Sequence, residues 1–64
     1  MTATTYAREG YKFYQVITSG YFREVELPED QSRMTPQQRR AWRRLTDQAE
    51  QLGVHIESSS YRRG

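Results

Sequence analysis

The sequence has no cysteine and one histidine, and each shortage removes a class of chemistry. Without thiols there is neither a disulfide framework nor a thiolate metal site, so stability must come from packing alone. His55 stands without a second histidine and without any H-x-x-x-H or C-x-x-C spacing, which sets transition-metal chemistry aside. No run approaches the roughly 18 apolar residues of a membrane span, and the first residues lack the basic-then-apolar pattern of a secretory signal. These absences lead to the expectation of a cytoplasmic protein without membrane contact, whose mature form is the whole chain. Gly10, Gly20, Gly53 and Gly64 lie far apart, so no phosphate-cradling loop exists, and neither a cofactor nor a small-molecule substrate is implied.

Catalytic groupings are equally sparse. The serine run Ser58–Ser60 falls in a polar tail where a positioned triad is implausible. Glu24 and Glu26 share a strand face, but raising one carboxyl pKa needs a buried pocket that a small sheet does not form easily. A non-enzymatic protein is expected.

What the chain does contain is 64 residues with 34% apolar and 28% charged side chains and eight aromatics, enough for one small core and no more. At this size dimerisation or partner binding often supplies missing burial. Net charge is only +2, but residues 1–34 carry four basic and five acidic groups, against six and three in residues 35–64. Such lopsidedness suits one positive surface facing an anionic partner.

Residues 1–9 show no sustained periodicity and read as a flexible lead-in. Tyr11–Thr18 is rich in aromatic and β-branched residues; after Ser19-Gly20, Tyr21–Leu27 alternates charged and apolar positions. This is a hairpin signal, with Gly20 expected to supply the positive φ of a tight turn and Pro28 to end the second strand. A two-residue turn would pair Thr18 with Tyr21 and Tyr14 with Val25, turning Tyr14, Val16, Val25 and Leu27 toward a core. Tyr11, Phe13, Ile17 and Phe22 then share the opposite face with Gln15, Glu24 and Glu26, without an evident cover.

Thr35 is a helix N-cap, Pro36 the first helical residue, and Gln38 the return partner of a capping box. No proline or glycine follows until Gly53, which suits a left-handed helix stop. Val54–Glu57 alternates and is expected as a third strand, and residues 58–64 as a flexible basic tail. The predicted fold is α+β: a single domain over residues 10–57 with β-β-α-β order, an antiparallel three-stranded sheet and one helix packed on one face.

At 100° per residue, Ala41, Trp42, Leu45, Ala49 and Leu52 form the core stripe of the helix, with Gln38 at its edge and Trp42 as a packing anchor. Opposite lie Arg39, Arg40, Arg43 and Arg44 as two i,i+4 pairs, partly relieved by Asp47. Like charges at that spacing repel by a few tenths of a kcal/mol per pair. The chain has nine arginines and one lysine, and guanidinium forks bond phosphates or carboxylates bidentately. The leading expectation is a nucleic-acid-binding module in which these arginines, helped by Arg62, Arg63 and Arg33, meet the phosphate backbone and Gln37 and Gln38 are the candidates for base edges. The alternative is a protein adaptor or inhibitor, or a subunit of a larger assembly, that sets the arginines against an acidic protein surface. In that reading Tyr11, Phe13, Ile17 and Phe22 anchor a protein interface, whereas a nucleic-acid binder leaves Tyr11, Phe13 and Phe22 in a homodimer contact through the sheet or in the core.

Overall fold

The computed structural model describes residues 4–63, excluding the side chain of Arg63. Its elements are β1 (Thr4–Tyr6), β2 (Tyr11–Thr18), β3 (Tyr21–Pro28), a 3-10 turn (Gln31–Arg33), α1 (Pro36–Leu52), β4 (Glu57–Ser59) and β5 (Tyr61–Arg63). The α+β class holds, with one antiparallel sheet ordered β3-β2-β4 and a separate two-stranded ribbon of β1 and β5.

The hairpin register runs from Thr18↔Tyr21 through Tyr14↔Val25 to Tyr11↔Pro28, the pairing a two-residue turn requires. Gly20 does not take a positive φ, however; those belong to Gly10 at 79° and Gly53 at 70°. The turn is held instead by the Thr18 hydroxyl, which accepts from the Gly20 N–H at 3.2 Å. Gly10 makes the left-handed bend between β1 and β2, where its carbonyl accepts from the Glu29 N–H at 2.9 Å.

Helix α1 begins and ends where its punctuation dictates. The Thr35 hydroxyl accepts from the Gln38 N–H at 3.1 Å while the Gln38 side chain accepts from the Thr35 N–H at 2.9 Å, completing the capping box. At the other end the N–H groups of Gly53 and Val54 bond the carbonyls of Glu50 and Ala49 at 3.1 and 3.0 Å, a Schellman closure. Leu45 and Ala49 bury against Val16, with Tyr14, Val25, Trp42, Val54 and Ile56 packed around them. Leu52, placed on the core stripe by periodicity, is 38% exposed and lies outside this cluster.

The third strand starts later than the alternation at Val54–Glu57 implies. Val54 and Ile56 do pack on the core, but they lie outside any strand ladder; β4 joins β2 only through Gln15↔Glu57, Tyr14↔Ser58 and Phe13↔Ser59. Alternation here marks burial on one side of an extended segment, and ladder pairing begins once the chain reaches β2. The segments read as lead-in and tail each contain a strand, paired Thr4↔Arg63, Thr5↔Arg62 and Tyr6↔Tyr61. Among the described residues no helix is long and apolar enough to cross a membrane.

Candidate nucleic-acid interface

With its core stripe against the sheet, α1 presents Arg39, Arg40, Arg43 and Arg44 outward, all exposed. Among the described residues the ion pairs are Arg8–Glu26 at 3.2 Å and Arg62–Glu24 at 3.0 Å, neither of them on the helix. The first helical turn holds no acidic residue. The outward face of α1 therefore keeps its positive charge at the end where the helix dipole is also positive, an arrangement that favours an external anion.

Beside these arginines the helix flank and the Gln31–Met34 connection enclose an open groove of about 700 Å³ whose lining includes Met34, Arg39, Arg40, Trp42, Arg43 and Asp47. Trp42 is half-buried, its indole meeting Tyr14 edge-on at 4.9 Å and 71°. The ring thus anchors the helix to β2 and still lines the groove. Periodicity reveals the anchoring role; the groove depends on where the connection folds back, which local pattern does not encode.

The other sequence-derived residues are dispersed. Gln37 is exposed on the first turn, whereas Gln38 spends its side-chain oxygen on the capping box. Arg33 ends the 3-10 turn, with Nη1 within 3.8 Å of the space a side chain at Gly10 would take. Arg62 is on the far face of the sheet: it bonds Glu24 and lies 5.9 Å over the Phe13 ring, and both residues have the parity opposite to Tyr14 and Val16. Arg63 closes β5 by its backbone, and its side chain is outside the described part.

The chain matches no known protein family, curated protein or solved structure. Residue chemistry and geometry are therefore the whole basis for a functional reading.

On the far sheet face, Phe13 is only 6% exposed, so it is part of the packing and not an open anchor. Arg8 lies 3.9 Å over the ring of half-buried Tyr11 and bonds Glu26 through both its backbone N–H and Nε. Ile17 at 44% and Phe22 at 64% remain open as a cross-strand pair. They border a second depression of about 450 Å³ shared with Glu24, Glu57, Tyr61 and Arg62.

Proposed function

We propose that this protein is a small non-enzymatic module that binds the phosphate backbone of nucleic acid through Arg39, Arg40, Arg43 and Arg44. What supports the reading most is that all four guanidinium groups are exposed on one helix face and none is ion-paired within the described chain. Solubility alone would be served as well by mixed charge, whereas this face stores like-charge repulsion that an anionic partner relieves. If each arginine neutralises one phosphate of a duplex, the salt slope is about −3.6, and raising salt from 50 to 200 mM weakens binding by about two orders of magnitude.

A second reading draws on Ile17 and Phe22: an adaptor or assembly subunit that docks the arginine face on an acidic protein surface, with the open sheet face as a hydrophobic or homodimer contact. Fluorescence anisotropy with labelled duplex and single-stranded DNA and RNA, at low and at physiological salt, separates the two. Binding that persists at physiological salt and disappears when Arg39, Arg40, Arg43 and Arg44 are all changed to Gln supports the first reading. Binding confined to low salt sinks it and directs the search to a protein partner.

A further inference from the structure

We propose that the groove beside α1 takes single-stranded nucleic acid, with Trp42 stacking against a base while Arg39, Arg40 and Arg43 hold the phosphates. The inference rests on the nucleic-acid reading and narrows it to a substrate class and a binding residue. Non-specific single-strand sites combine a positive groove that tracks the backbone with aromatic side chains for the bases, and here three arginines and Trp42 line one groove. A duplex keeps its bases stacked on one another, leaving Trp42 nothing to stack on, whereas an unpaired strand offers a π-face at every nucleotide.

The arrangement also orders the contacts along the helix. Arg39 and Arg43 are one helical turn apart, about 6 Å along the axis, at the half of the helix that has no carboxylate. Asp47, one turn further on, repels phosphate at its end of the groove and accepts hydrogen bonds from base amino or imino groups. Phosphates accordingly sit against Arg39 and Arg43, away from Asp47, and a base lies on Trp42, which falls between those two arginines along the axis. Tyr14 holds the indole by its edge contact at 4.9 Å, so little side-chain freedom remains to be lost on stacking.

Trp42 is the sole tryptophan, which makes its fluorescence a direct reporter. The wild-type protein is titrated with a 12-nucleotide oligothymidine and with the duplex of the same length, following tryptophan emission and the anisotropy of labelled strands. Saturable quenching by the single strand, with affinity at least ten-fold above the duplex, is the expected result. Trp42→Leu keeps an apolar side chain but removes the ring, and should weaken single-strand binding by about five- to a hundred-fold, well beyond any loss of duplex affinity. Circular dichroism checks that this variant folds; if it does not, quenching of the wild type decides. Duplex affinity equal to or above that for the single strand, or binding that leaves tryptophan emission unchanged, overturns the inference and leaves the arginine reading standing. Binding to neither probe at physiological salt removes both.

Discussion

Arg62 Nη1 donates to Glu24 Oε1 across 3.0 Å, joining positions 38 residues apart. Glu24 is tied down further by Gln15 Nε2 at 2.6 Å, so one carboxylate fastens β5 to the hairpin. The arginine side chain is 51% exposed, which limits the ion pair to about 0.5–1 kcal/mol. In a domain of this size that corresponds to a fall in thermal midpoint of about 2–8 °C for Arg62→Ala. Melts followed by circular dichroism should show the gap narrowing at high salt as the pair is screened. An unchanged midpoint would mean that the ribbon is held by other contacts.

Two leucines on the same helical stripe should respond very differently to truncation. Leu45 is 0% exposed at the centre of the cluster with Val16 and Ala49, whereas Leu52 is 38% exposed. Leu45→Ala is expected to cost about 2–5 kcal/mol, a large share of the roughly 3–5 kcal/mol that a core this small rarely exceeds, so the variant should be strongly destabilised at 25 °C. Leu52→Ala should cost less than about 1 kcal/mol. Urea denaturation of both variants measures the difference, and similar losses would show that the helix end is packed more tightly than its exposure implies.

The contrast between those leucines shows how far the sequence reaches. Thr35, Pro36, Gln38 and Gly53 each act within a few residues of themselves, so the helix limits could be read directly. The hairpin register follows in the same way from a two-residue turn and the alternation around it. Pairing of Thr4–Tyr6 with Tyr61–Arg63 has no local signature: each strand is three residues long, and its partner lies at the other end of the chain. Arg62, which lies 5.9 Å over the buried Phe13 ring, comes from that distant strand β5. Arginine placement on α1 needed only the helical period, but the groove combines that helix with Met34 from the preceding connection, a juxtaposition set by tertiary folding.

Tyr14 gives a prediction for alkaline pH. Burial, with a contribution from the nearby charge of Glu29, raises its phenol above the ordinary value of 10.0. Below pH 10 the phenol is protonated in both folded and unfolded chains and stability is unaffected by it. Above that point the unfolded chain releases its proton first, so stability falls as pH rises toward the higher folded value. Tyr14→Phe keeps the aromatic contact with Trp42 and removes the titrating proton, so the variant should show a shallower loss between pH 9 and 11 in denaturation curves. Equal slopes for variant and wild type would mean that Tyr14 does not contribute to the alkaline transition.

Charge changes on the two faces should separate in the salt dependence of nucleic-acid binding. Asp47 is the carboxylate in the arginine groove, and Asp47→Asn should tighten binding by about two- to five-fold at low salt, converging with wild type as salt rises. Changing Arg43 to Gln removes one phosphate contact and should reduce the magnitude of the salt slope by about 0.7 for a single strand or about 0.9 for a duplex. Arg62→Gln should leave the slope unchanged, because that guanidinium is engaged with Glu24 on the opposite side of the sheet. Anisotropy titrations at several salt concentrations give all three slopes. A slope lowered by the Arg62 change but not by the Arg43 change would move the binding surface off the helix and onto the face that carries Ile17 and Phe22.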